Sequence, residues 1–231
     1  MRKIIALSVL LAAVLALAPS VVRAGVDEES KVQAGIAVMR EIMDIPEGGI
    51  PPSLLNSAYG IAIFPDMLKA GFIVGARYGV GIMTVRSSED HSWSNPVFFR
   101  IVGGSVGWQI GAQATDIILV FKTIRSLDAI TSGKFTLGAD ASIAAGPVGR
   151  HAEAGTDIQL RAEILSYSRS RGLFAGIALE GAALQVDYGA NSAFYSIPGL
   201  LPMEIFRNRE LQAPLVSGEL KKALNYYCTL Q

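Results

Sequence analysis

The run Gly60-Ile-Ala-Ile-Phe-Pro-Asp-Met-Leu-Lys-Ala-Gly71-Phe-Ile-Val-Gly75, continued through Tyr78 to Ile82, decides the fold. Upstream of Gly60 apolar residues recur every three to four positions; from Gly60 onward they recur every second position, the repeat of a β-strand. Phe72, Val74, Ala76, Tyr78, Val80 and Ile82 are expected on one strand face. Nine glycines fall between Gly60 and Gly111, including Val102-Gly-Gly-Ser-Val-Gly107. Glycine weakens an isolated strand, so its repetition predicts close backbone approach, bulges or strong bends.

Working outward, the alternation continues over Lys134–Ile143, where Phe135, Leu137, Ala139, Ala141 and Ile143 form the inward set, and over residues 151–164. Ser168 to Gly172 reads as the turn into a long strand, Leu173 to Tyr188. Helices flank this β region. Residues 27–45 place Val32, Ile36, Met39 and Met43 on one face, and Ser53 to Ala58 follow two prolines suited to a helix start. Asn191 to Tyr195 reads as a helical turn, and Val216 to Tyr227 as a terminal helix with Leu220, Leu224 and Tyr227 on one face. With no linker or long repeat, the expected fold is one α+β domain. Its core is an antiparallel glycine-rich β-sheet, a sandwich or partly closed barrel, packed with N-terminal and C-terminal helices.

Composition narrows the function. Of 231 residues, 51% are hydrophobic and 17% charged, which excludes disorder. Cys228 is the lone cysteine, and His91 and His151 are the two histidines, so neither a disulfide framework nor a cysteine-rich metal site is expected. Twenty bases balance twenty acids, which argues against nucleic acid as a partner. Arg2 and Lys3 precede the apolar run Ile4 to Ala18, Pro19 follows, and Val22-Arg23-Ala24 offers a cleavage site. Residues 1–24 therefore read as a signal peptide cut after Ala24, leaving 25–231 as an exported, periplasmic or envelope-associated domain. The run is shorter than a membrane-spanning helix needs. An integral β-barrel has the alternation in its favour but the helices and glycine-heavy strands against it.

No residue pattern demands catalysis. Gly103 to Gly107 lacks dinucleotide-loop spacing, and no phosphate-binding GxxxxGK[ST] occurs. No metal or cofactor is expected. Asp116, Asp140 and Glu180 have apolar or tiny neighbours, so each would need a partner if buried. Arg150 follows the turn Gly146-Pro147-Val-Gly149, and Arg169 and Arg171 sit at a serine-rich hairpin tip; all three are candidates for a phosphate or lipid headgroup. Each is also an ordinary surface arginine.

These segments occur in a recognisable series: Ala58-Tyr-Gly-Ile-Ala-Ile-Phe-Pro65, Trp93-Ser-Asn-Pro96, Gly107-Trp-Gln-Ile-Gly-Ala-Gln113, Gly138-Ala-Asp140-Ala-Ser142, Gly146-Pro147-Val-Gly149-Arg150, Ser166-Tyr-Ser-Arg-Ser-Arg-Gly172 and Leu173 to Gly181, then Asn191 and Tyr195. Over residues 30–197 the series resembles the SYLF domain family, found in phosphoinositide-binding and actin-associated eukaryotic proteins and in exported bacterial ones. Asp140, Gly146, Pro147, Gly149, Trp93 and Pro96 stand at its structural motif positions. The resemblance implies a lipid-binding module and no enzyme. In eukaryotic members a base-rich N-terminal segment contacts membranes. Here the first helix carries Asp27, Glu28, Glu29, Glu41 and Asp44 against Lys31 and Arg40, so it is expected to bind anionic surfaces poorly.

The expected function is non-enzymatic binding of a phospholipid or other amphiphile at the cell envelope, with a lipid or membrane surface as partner. Two alternatives stand beside it. One is a structural or assembly protein acting through a protein partner; the other is a small-substrate enzyme built from Asp140, Arg150 and His151.

Overall fold

The computed structural model describes residues 19–45, 49–131, 134–148, 161–170 and 173–229. In chain order the elements are α1 (Pro19–Met43), α2 (Pro52–Asn56), β1 (Gly60–Val85), β2 (Val97–Phe121), α3 (Ile124–Ile130), β3 (Lys134–Thr136), β4 (Ile143–Ala145), β5 (Ile164–Ser170), β6 (Leu173–Gly176), β7 (Ala183–Val186), α4 (Tyr188–Tyr195), α5 (Pro202–Arg207) and α6 (Leu215–Thr229). The expected α+β architecture is present, with helices at both ends of a single curled sheet. One pairing is parallel, β4 with β5, and the others are antiparallel.

β2 is the hub. Along one edge it pairs with β1 from Gly60↔Phe121 to Met83↔Val97. Its other edge is shared: Phe99–Val102 pair with β7, and Asp116–Phe121 pair with β5. β1 has no second strand neighbour among the described residues, which is where Pro65 is tolerated, since an edge strand loses no ladder bond to it.

The β1–β2 ribbon is folded back on itself. Gly79 lies against Met67, Gly81 against Ile63 and Phe64, and Gly60 against Met83 and Thr84, so β1 doubles over about residues 72 and 73. The ends lock together where the Arg86 N–H donates to the Tyr59 carbonyl at 2.7 Å and the Tyr59 N–H donates to Phe121 at 2.9 Å. A Cβ on Gly81 would lie 2.8 Å from the Phe64 Cα and closer still to the Ile63 carbonyl oxygen, so only glycine permits this approach. Doubling explains why Ile61–Phe64, Ile82 and Met83 are buried although the strand alternates: one face meets the helices, the other meets the ribbon itself.

The fold-back is braced by a polar cluster. The ladder slips between Phe64 and Met67, and Asp66 there takes a left-handed backbone with φ +48°. The Asp66 N–H donates to Asp116 Oδ1 at 3.0 Å. Asp116 Oδ2 accepts from Arg169 Nε at 3.2 Å and Nη2 at 2.9 Å, and Arg169 also pairs with Glu41 of α1. One buried carboxylate thus fixes the bend in β1, the β2–β5 register and the first helix.

The core fills the fold-back with Phe64, Phe98, Phe99, Phe121, Phe135 and Tyr167, each at most 1% exposed. Helix α1 contributes Val32, Ile36, Met39 and Ile42 and packs on β1, α4 and α6.

Two strand expectations fail. The strand over Lys134–Ile143 is broken, because Gly138 adopts φ +86° and Asp140 Oδ2 accepts the Thr136 N–H at 2.6 Å, closing a turn. Phe135, Leu137, Ala141 and Ile143 still point inward, while Ala139 is exposed. The strand over Leu173–Tyr188 is split into β6 and β7: β6 follows β5, and then the chain crosses to pair with β2 and β3. Of the alternation over 151–164, residues 151–160 lie outside the described set.

Gly81→Ala should lower stability by about 2–3 kcal/mol, since a methyl group must enter filled space. For a chain this size that is a melting-temperature loss of roughly 5–10 °C. Gly104→Ala, where nothing lies within 4 Å of the new Cβ, should leave the melting temperature within about 2 °C. Equal losses for the two variants would contradict the fold-back.

Candidate functional site

Several family-motif residues turn out to be fasteners. Asp187 caps α4 by accepting the Ala190 N–H at 3.1 Å and takes the Arg100 fork through Nε and Nη2, both at 2.7 Å. Asn191, fully buried, accepts the Phe98 N–H at 2.9 Å and donates to the Phe98 and Asp187 carbonyls. The Tyr195 hydroxyl donates to the Pro96 carbonyl at 2.6 Å, and burial pushes its pKa up. Together they pin α4 across the start of β2. Gly146 lies flat beneath the Tyr167 ring, where a Cβ would enter the ring itself, and Tyr167 stacks on Phe174 at 5.5 Å.

Of the three headgroup candidates, Arg169 is engaged by Asp116 and Glu41, and Arg150 and Arg171 lie outside the described residues. His151 and Gly149 lie outside them too. Asp140 is exposed and its carboxylate serves its own turn. Pro147 is half-buried beside Gly146. Glu180 is exposed and Asp116 is the buried, partnered carboxylate of the group singled out by its neighbours.

A concavity with both apolar and charged walls lies elsewhere. A cleft of about 540 Å³ opens where the fold-back brings Tyr59 beside Val85 and Arg86, roofed by residues 87–95 and closed by α3, α5 and α6. That volume lies within the range of small-ligand sites. Trp93, only 3% exposed, underlies it, with Leu127, Met203 and Phe206 beside it. The Arg86 guanidinium sits 5.3 Å over the Trp93 ring and donates from Nε to the His91 carbonyl at 2.9 Å. The Trp93 indole N–H has no partner among the described residues.

The rim is charged. Arg86, Arg207, Arg209 and Lys221 line it, against Glu89 and Asp128. Arg209 is held by Asp90, whose pKa it drives well below the usual carboxylate range. Lys221 and Arg207 make no ion pair among the described residues. Burial, and then the neighbouring Arg209, pulls the Lys221 pKa down from the ordinary lysine value of 10.5. The cleft can thus hold an anion beside an aromatic surface. Sequence spacing gave no signal for it, because its walls come from five segments between residues 59 and 221. Among the described residues no group of histidine, cysteine and carboxylate side chains could hold a metal, and no helix is long and apolar enough to cross a membrane.

Residues 102–227 match the Ysc84 family, described as Las17-binding protein actin regulator. The chain is 34% identical over 210 residues to an SH3 domain-containing protein of Schizosaccharomyces pombe, covering 90% of this chain and 48% of that one. It is 35% identical over 173 residues to the human SH3 domain-containing YSC84-like protein 1, covering 72% and 50%. It is 38% identical over 149 residues to LAS seventeen-binding protein 3 of Saccharomyces cerevisiae, covering 63% and 32%. The chain spans about half the length, or less, of these curated relatives.

The Arg100–Asp187 fastener gives a pH signature. Burial raises the Asp187 pKa, but the Arg100 hydrogen bonds, the Ala190 N–H and the Arg100 charge outweigh it, and the net shift is downward. A carboxyl with a depressed folded value stabilises fully above its unfolded value and loses that contribution as pH falls through the folded value. Asp187→Asn should cost about 2 kcal/mol at neutral pH, reduced from the fully buried case because Arg100 is 45% exposed. The difference from the parent should shrink in melting curves taken below pH 3.8.

Proposed function

Because the chain belongs to the Ysc84 (SYLF) family, we propose that it is a non-enzymatic binding module whose cleft takes an anionic amphiphile such as a phospholipid. The observation that carries this reading is the pairing of an aromatic floor, Trp93 and Phe206, with the cations Lys221 and Arg207, which make no ion pair among the described residues, on one concave surface. An acyl chain gains about 0.8 kcal/mol per buried CH₂ against such a floor, and the anionic head gains a charge-assisted hydrogen bond at the rim. The reading includes export through residues 1–24; amino-terminal sequencing of the cell-derived protein should then begin at Gly25.

A second reading has support of its own. The matched family description names an actin regulator and the yeast relative a binding protein, so a protein partner is the competing occupant. Crosslinking in cells would favour it if a single protein species were captured by residues 86–95.

The lipid reading is tested with short-chain phosphatidylglycerol below its micelle concentration, by calorimetry or native mass spectrometry. Parent protein should bind it in preference to the phosphatidylcholine analogue, and Lys221→Gln with Arg207→Gln should weaken binding roughly 10- to 30-fold, at about 1 kcal/mol per base. Since Lys221 is charged only below its lowered pKa, affinity should fall with rising pH before an ordinary lysine would lose its proton. Equal binding of both lipids, or an unaffected double variant, would overturn it.

A further inference from the structure

Lys221 and Lys222 are neighbours on α6 with different surroundings. Lys222 is exposed and lines the groove between α6 and α1, where Glu219 shares the wall. Lys221 is half-buried and lines the cleft over Trp93. Its place is fixed, because Leu220 beside it and Leu224 one turn on, each 1% exposed, seat the helix in the core. The charged groups sharing the cleft are Arg86, Arg207 and Arg209 against Glu89 and Asp128. Asp90 takes up Arg209, and Lys221 makes no ion pair among the described residues. Burial strips water from the Lys221 ammonium and Arg209 repels it, so both effects favour the neutral amine.

We propose that Lys221 is a covalent modification site for a small phosphorylated aldehyde, which the cleft arginines hold while Nζ joins its carbonyl carbon as an imine. The nucleophile is the neutral amine, only roughly 0.1% of an ordinary lysine near neutral pH, so a site that favours it stands out from the other lysines. The Nζ lone pair attacks the carbonyl carbon, the C=O π pair moves to oxygen, and a nitrogen proton passes to that oxygen, giving a carbinolamine. The nitrogen lone pair then forms C=N, the C–O bond breaks, and the second nitrogen proton leaves with the hydroxyl as water. Nothing is oxidised or reduced. The walls select the class of ligand. Guanidinium groups present a fork that matches phosphate oxygens, and a cation-lined concavity raises the local concentration of an anion. Leu127, Met203 and Phe206 give the carbon body an apolar surface. The inference goes beyond the lipid reading: it needs the cleft to admit a small anion and no acyl chain.

The probe is pyridoxal 5′-phosphate, with pyridoxal, which lacks the phosphate, beside it. The full chain is incubated with one equivalent near neutral pH, treated with borohydride to fix the imine as a secondary amine, digested and sequenced by mass spectrometry. The label should fall mainly on Lys221, with the adjacent Lys222 as internal control. Lys221→Arg, which keeps the charge and removes the nucleophile, should lose that label, and Lys222→Arg should keep it. Pyridoxal should label Lys221 at least about tenfold more slowly than the phosphate ester. Arg207→Gln should slow labelling by the ester roughly fivefold, the worth of one solvent-screened charge pair. Label spread evenly over the lysines, label on Lys222 in preference, or equal rates for the two aldehydes would overturn the proposal. Labelling at Lys221 in a protein that binds no short-chain phosphatidylglycerol supports it and counts against the lipid reading alone.

Discussion

The close approach of Gly81 to the Ile63 carbonyl is the constraint from which the other features descend. A strand of 26 residues cannot bury both faces against helices in a domain of this size. Folded double, it buries one face against α1 and the other against itself. Glycine makes this possible at position 81, where any side chain would enter the opposing backbone. Asp116 then holds the bend by meeting three elements at once: the Asp66 N–H, the Arg169 fork and, through Arg169, Glu41 of α1.

The cleft is a product of this same fold-back. Where the ribbon closes, Arg86 meets Tyr59, and the junction brings residues distant in sequence into one wall over Trp93. Where the ribbon turns, the β1–β2 register slips between Gly71 and Ile73. Family-motif residues, by contrast, hold parts together. Asn191, Tyr195, Pro96 and Gly146 each satisfy a backbone group or admit a ring, so the motif series reports how the domain is built. In the proposed reading, ligand choice falls to Arg207 and Lys221 at the cleft rim.

Much of the fold was legible because periodicity is a local signal. The first helix, the switch to strand at Gly60, and the final helix with Leu220, Leu224 and Tyr227 inward all follow from it. The glycines were legible in kind, as marks of close approach, but not in place: nothing local says that Gly81 meets Ile63. Strand breaks at Gly138 and after Gly176 escaped because alternation persists through a turn that keeps alternate side chains inward. Arg169 looked like a free base at a hairpin tip, since its partners Asp116 and Glu41 lie 53 and 128 residues away in sequence. The cleft was invisible for the same reason, being assembled from segments that share no motif.

The most direct test is a nuclear Overhauser contact between the Gly81 α-protons and the ring and backbone protons of Phe64. If β1 ran straight, Ile63 and Gly81 would be about 60 Å apart, far beyond any such effect. The fold-back requires a strong Gly81–Phe64 cross-peak in the native protein, with a weaker one between Gly79 and Met67. Sequential and β1–β2 cross-strand contacts without either peak would mean the ribbon is not doubled, and the cleft would lose its structural basis.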